Sequence, residues 1–262
     1  MSIVTLDGEM IHYEVLGRGR PLFFLHGWVG SWRYWIPTMQ AASISFRTYA
    51  LDLYGFGDTV KHPEHYRMEE QVKLVGDFMD EMGIMKIALM GHGLGAIVGL
   101  QFVLRFPERV DRMMLTGFPI NNNDMNARLR TASLTELADW LLSKVPEAES
   151  ARMETPKTDP LAITTSLNDL QEINLLDLSM QLATPCLFVH GQNDPAVELP
   201  TIDLLATLPE QTHEVIFDAS GHFPMLDEPT KYHRLMADFL SLPSGESPRQ
   251  LQLKEEWKRR IR

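Results

Sequence analysis

Five residues, Gly91-His92-Gly93-Leu94-Gly95, sit between an apolar run from Lys86 to Met90 and a helix-like run from Ala96 to Phe106. A strand, a sharp turn and a helix in that order form the elbow that presents a serine hydroxyl in the pattern G-x-S-x-G. Here the middle residue is Gly93. The turn therefore has the layout for nucleophilic acyl transfer without the hydroxyl that would carry the acyl group. Leu94 is inert and Gly95 has no side chain, so nothing within the motif replaces it. Glycine adopts a strained turn without a Cβ penalty, and the backbone of the elbow is expected to persist.

Other reactive groups are few. The single cysteine, Cys186, lies in Pro185-Cys186-Leu187-Phe188-Val189 and reads as a small apolar residue of a buried strand rather than a reactive thiol. The histidines are dispersed and show no spacing such as H-E-x-x-H, so no metal site is expected. Gly55-Phe56-Gly57 lacks the third glycine and the helix of a dinucleotide fingerprint, and no cofactor is implied.

The elements that position the elbow follow from periodicity. Ile11, Tyr13 and Val15 alternate with His12 and Glu14, as in a half-buried strand. Pro21 to Leu25, Thr48 to Leu51, Lys86 to Met90, Val110 to Leu115, Cys186 to His190 and Glu214 to Phe217 read as further strands, several apolar throughout, as in a parallel sheet covered on both faces. Ser31 to Trp35 begins a helix, and Met68, Val72, Val75, Met79 and Met82 mark an amphipathic one. A last body helix covers about Thr230 to Leu240. Strands alternating with helices predict an α/β fold with a mostly parallel central sheet. Residues 119–177 change to polar helix-forming stretches such as Leu134 to Val145, which predicts an inserted cap. The expected division is a core of 1–118 and 178–243, a cap of 119–177 and a tail of 244–262.

Four motifs now stand in a fixed order: Leu25-His26-Gly27-Trp28, the loop Asp52 to Thr59, the Gly91 to Gly95 elbow, and the late pair Gly191-Gln192-Asn193-Asp194 and Gly221-His222. In that order and spacing the chain resembles the α/β-hydrolase-fold superfamily along nearly all of residues 1–243, in particular esterases and carbon-carbon-bond hydrolases. The resemblance implies Asp194 at the acid position and His222 at the base position, with Gly93 at the vacant nucleophile position. A carboxylate on one imidazole nitrogen fixes the tautomer and leaves the other nitrogen to take a proton. The same resemblance maps an oxyanion hole to the backbone N–H groups of Trp28 and Leu94. It implies that His26, Asp52 and Asp58 order their own loops, and that His92 fills a variable elbow position. Trp28, Trp32 and Trp35 follow the His-Gly turn, while Phe223 and Met225 follow His222, which suggests an apolar pocket.

The implied ligand is a small apolar ester or carbonyl compound. With Gly93 in place, little covalent hydrolase activity is expected while ligand binding is retained. Two other outcomes stay open: a non-covalent enzyme using His222 and Asp194 as a general base, and a scaffold or interaction protein.

Composition bounds these readings. A chain of 262 residues, 44% hydrophobic and 23% charged, is ordinary for a globular domain, and its net charge of −11 disfavours nucleic acid as a partner. No run approaches a membrane span. The start Met1-Ser2-Ile3-Val4 lacks signal-peptide character, which makes the cytoplasm the expected location. Beyond Leu242-Pro243-Ser244-Gly245, Arg249, Lys254, Lys258, Arg259, Arg260 and Arg262 accompany Leu253, Trp257 and Ile261 at four-residue spacing. This tail reads as a basic amphipathic helix, meeting either a membrane surface or acidic partner, or the acidic body of the chain itself.

Overall fold

A computed structural model describes residues 2–253 and Trp257. Eight strands form one sheet: β1 (Ser2–Leu6), β2 (Glu9–Gly17), β3 (Arg20–Leu25), β4 (Phe46–Leu51), β5 (Ile87–His92), β6 (Val110–Thr116), β7 (Cys186–Gly191) and β8 (Thr212–Phe217). Their order is β1-β2-β4-β3-β5-β6-β7-β8. β1 and β2 join antiparallel to their neighbours, and the six strands from β4 to β8 run parallel. The apolar runs occupy the centre, where Leu22 to Leu25, Leu89, Met90 and Leu187 to Val189 are fully buried.

The helices follow the strands in the expected alternation. They are α1 (Ile36–Ala42), α2 (Met68–Glu81) and α3 (Leu94–Arg105), then α4 (Arg128–Thr131), α5 (Leu134–Leu141), α6 (Glu149–Glu154), α7 (Pro160–Asp169) and α8 (Leu175–Met180), and finally α9 (Ile202–Thr207), α10 (Pro224–Asp227) and α11 (Pro229–Leu240). Connections between parallel strands are right-handed. The step from β3 to β4 runs one way along the sheet and the steps from β4 to β5 and β5 to β6 run the other, so α1 covers one face and α2 and α3 the opposite face. In keeping with this, α1 packs on α11 and α2 on α3.

That reversal of direction lies between β3 and β5. Loops beyond the carboxyl ends of strands at such a switch point form the natural crevice of an open α/β sheet. Here they are the Gly27-Trp28 loop and the Gly93 turn.

Three features differ from the sequence reading. β1, at the sheet edge, was not anticipated: with Ile3 more than half exposed, its Ser-Ile-Val-Thr-Leu stretch lacks a buried signature. The helix expected over Leu134 to Val145 stops at Leu141, ahead of Pro146. α8 runs to Met180, past the expected boundary at 177. Of the tail, Arg249 donates to the carbonyls of Thr212, Leu208 and Pro209, and Trp257 is buried with its indole N–H on Asp238 Oδ2 at 2.8 Å. Lys254, Glu255, Glu256, Lys258, Arg259, Arg260, Ile261 and Arg262 lie outside the described residues. Among the described residues no helix is long and apolar enough to cross a membrane.

Candidate active site

β5 delivers the chain into the elbow and α3 leads it away. Between them Gly93 holds φ +49° and ψ −112°, a conformation costly for any residue with a Cβ. Its N–H donates to Thr116 O and the following Gly95 N–H donates to His26 O, so the turn is clamped to β6 on one side and to the β3 loop on the other. A Cβ placed on Gly93 would meet nothing closer than Gly27 Cα at 3.5 Å, the Trp28 ring at 3.6 Å and His222 Nε2 at 3.7 Å. These are ordinary contact distances. The backbone angle restricts this position, while the surrounding space admits a side chain.

His222 Nδ1 lies 2.8 Å from Asp194 Oδ2. The other Asp194 oxygen accepts from the N–H groups of Ala196 and Val197 at 2.8 and 3.2 Å. Burial pushes the Asp194 carboxyl up, but His222 and the two N–H donors outweigh it and hold the group below its ordinary value. An ionised carboxylate requires the proton on Nδ1, which leaves the Nε2 lone pair facing the space over Gly93. The loop carrying His222 is held by Asp227, which accepts from Gly221 N–H and the Ser143 hydroxyl, and by Glu228, which accepts from the Ser220 hydroxyl.

The backbone N–H groups of Trp28 and Leu94 have no acceptor among the described residues, although both residues are buried. Leu94 is the first residue of α3, whose opening N–H groups lack intrahelical partners, and the helix dipole adds positive potential there.

His26 is neutral: burial lowers its proton affinity, and its ring bonds Gly27 O through Nδ1 and accepts the Leu53 N–H at Nε2. Asp52 is occupied by the N–H groups of Trp32 and Asp58 and by His12 Nδ1, while Asp58 meets Lys157. His12, Asp52 and Asp58 thus converge as possible metal donors, but their hydrogen bonds tie down the loop. Cys186 is fully buried, with its thiol pushed up by burial.

The tryptophans divide by position. Trp28 reaches Gly93, and its indole N–H donates to Ser166 Oγ on α7 at 3.0 Å. Trp35 packs against Phe24 of β3 and Tyr34, and Trp32 packs beside His12 and under the Arg33 guanidinium. Those two stabilise the fold below the loop. The Phe223 ring packs tilted against His92, 4.4 Å between centroids, and Met225 is buried in α10. A cavity of about 360 Å³ lies among α4, α5 and α7, lined by Leu129, Leu137, Ile163 and Leu167 with polar neighbours.

Sequence reasoning missed the role of Tyr34 and His92. The Tyr34 hydroxyl accepts from Gly27 N–H at 2.8 Å and donates to His92 Nδ1 at 2.9 Å; His92 Nε2 then donates to His222 O at 3.0 Å. This buried line connects the Gly27-Trp28 loop to the His222 loop. Tyr34→Phe removes its centre and leaves Gly27 N–H and His92 Nδ1 unpaired, so a loss of about 1–3 kcal/mol in urea unfolding is expected. An unchanged unfolding midpoint would contradict this assignment.

Burial, reinforced by the nearby His222, holds His92 well below the ordinary histidine value of 6.5. The unfolded chain then binds a proton near pH 6.5 that the native state refuses. Its stabilising contribution is present above that pH and lost as pH falls below it. His190 opposes this: Glu214 overcomes burial and raises its value, so that its contribution is present at low pH and declines as pH rises. Between about pH 7.5 and about pH 5.5 the wild-type urea midpoint should fall more than that of His92→Gln. Equal falls would show that His92 does not carry the acid sensitivity.

The fold, the loop-borne residues and the family model agree on class. The chain belongs to the α/β hydrolase fold family, whose model matches residues 20–151. It is 27% identical to 2-hydroxy-6-oxo-2,4-heptadienoate hydrolase of Pseudomonas putida, an alignment covering 91% of this chain and 95% of that protein. It is 25% identical to the pimeloyl-[acyl-carrier protein] methyl ester esterase of Vibrio campbellii, covering 83% and 93%. Among solved structures, it resembles a serine-to-alanine variant of the meta-cleavage product hydrolase of Pseudomonas fluorescens IP01 complexed with acetates (TM-score 0.78, 24% identity, 92% of this chain and 97% of that one). A serine-to-glycine variant of an N-acyl homoserine lactonase complexed with N-hexanoyl homoserine lactone is also similar (TM-score 0.77, 21% identity, 91% and 96%). The chain is thus an α/β hydrolase related to meta-cleavage product hydrolases and esterases.

Proposed function

We propose that this protein binds a small apolar ester or carbonyl ligand in a hydrolase-type site whose nucleophile position is Gly93, and that it turns the ligand over without an acyl intermediate or not at all. The observation that carries this reading is the 3.7 Å between a Cβ at Gly93 and His222 Nε2, with no closer obstruction than 3.5 Å. In this reading the N–H groups of Trp28 and Leu94 receive the ligand's carbonyl oxygen, Trp28 flanks it, and residues 119–177 form the cap above it. The lactonase variant, which carries glycine for serine and holds N-hexanoyl homoserine lactone, is a precedent for ligand retention in this fold.

A second reading is favoured by the Asp194–His222 contact of 2.8 Å. His222, oriented by Asp194, acts as a general base on water or on the ligand, with no covalent step. A general base contributes about 10²–10⁴-fold, far less than a complete triad.

Incubation with short-chain aryl esters and acyl lactones, followed by native and denaturing mass spectrometry, tests both readings. The expected result is a non-covalent complex with no acylated protein; a slow turnover abolished by His222→Ala would select the general-base reading. An acylated wild-type chain, or no association with any of these compounds, would overturn the proposal.

A further inference from the structure

Glu9 opens β2, and His62 and His65 lie 53 and 56 positions further on, at a one-turn 3₁₀ helix (Pro63–His65). The loop between them is drawn back to β2 by the Val60 N–H, which donates to Met10 O at 3.1 Å. That return brings His62 Nδ1 to 2.9 Å and His65 Nε2 to 3.7 Å from the same oxygen of Glu9, with all three donor atoms within 4.8 Å of one another.

We propose that Glu9, His62 and His65 form a binding site for one zinc-class divalent ion. Tetrahedral ligands at 2.0–2.1 Å from a zinc ion stand about 3.3 Å apart, between the two distances found here. Two imidazole nitrogens and one carboxylate oxygen suit Zn²⁺ and its transition-metal neighbours, whereas Ca²⁺ and Mg²⁺ require oxygen ligands. The remaining nitrogen of His65 supports the same reading. Its Nδ1 lies 3.5 Å from Glu70 Oε2, the outer carboxylate arrangement that orients a metal-binding histidine. Tyr54 stacks on the His65 ring at 4.7 Å and 24°, which limits its rotation.

The site is partly open. Side chains of Glu9 and His65 are about one-fifth exposed and that of His62 about half exposed, so an ion can reach the cluster from solvent and keep a water as fourth ligand. Its consequence is mechanical: the ion would tie the β1–β2 hairpin to the segment that enters α2, away from Gly93.

The test titrates the full chain with Zn²⁺ against a chromophoric chelator and repeats the titration with Co²⁺, read by its visible absorption. One ion per chain is expected, with affinity weakened by at least about tenfold in His62→Ala and in His65→Ala, and by about tenfold in Glu70→Gln. Zn²⁺ should also raise the melting temperature of the wild type and leave that of the double histidine variant unchanged. All of these side chains are at the surface, and circular dichroism checks that each variant is folded. No binding at a hundredfold excess of Zn²⁺, or equal binding by the double histidine variant, overturns the proposal.

Discussion

Gly93→Ser is expected to raise short-chain aryl-ester turnover by about 10³-fold or more, a conservative fraction of the roughly 10⁶-fold lost when the serine of a complete hydrolase triad is removed. The serine Cβ would stand 3.7 Å from His222 Nε2. An Oγ turned from that Cβ toward Nε2 would come within hydrogen-bond reach of it, and the partner nitrogen is held by Asp194. The gain has a cost. A side chain at φ +49° is strained by about 1–2 kcal/mol, so the serine variant should unfold at lower urea than the wild type. Adding His222→Ala to the serine variant should return turnover to background. A folded serine variant no faster than the wild type would sink the assignment of position 93, and one that stays fast without His222 would sink the role of the imidazole.

Gly191→Ala is expected to destabilise the fold by about 3 kcal/mol or more, at the upper end for overpacking. Its Cβ would stand 1.9 Å from Gly221 O and 2.6 Å from Ser220 O, both backbone atoms with no flexible end to swing aside. β7 and the loop bearing His222 would have to separate. The damage should also reach the site, because Asp194 and His222 sit on the two segments being forced apart. In the Gly93→Ser background, the added alanine should therefore remove most of the ester turnover at temperatures where the protein is still folded. A double variant with full turnover and a wild-type urea midpoint would show that this contact is not rigid.

The sheet was legible because its strands are buried on both faces and read as continuous apolar runs, as in Phe23 to Leu25 and Leu187 to Val189. The turn at Gly93 was legible because such a run stops at three alternating glycines and a helical pattern begins. Asp194 and His222 carried no local signal. Each is an ordinary loop residue, and only the order of motifs along the chain suggested the pair. Long-range hydrogen bonding was the least visible layer. Tyr34 and His92 are 58 positions apart, and no periodicity marks a tyrosine that will bridge an amide and an imidazole. The cluster of Glu9, His62 and His65 was hidden in the same way, since a spacing rule sees two histidines three apart but not the carboxylate 53 positions earlier. Trp32 and Trp35 show how little sequence spacing says about packing partners. Their nearness in sequence to Trp28 suggested a shared pocket, and in the 3₁₀ turn after Ser31 their rings pack against His12, Arg33, Phe24 and Tyr34.

The bond between the Trp28 indole and Ser166 bears on timing. Trp28, Leu94 and His222 are each at most 2% exposed, and Ser166 of α7 accepts from the indole that flanks Gly93. If a ligand binds over Gly93 as proposed, it would enter only when α7 and the indole part. Association would then saturate at the rate of that opening instead of climbing with ligand concentration, and slow departure would follow from the same closure.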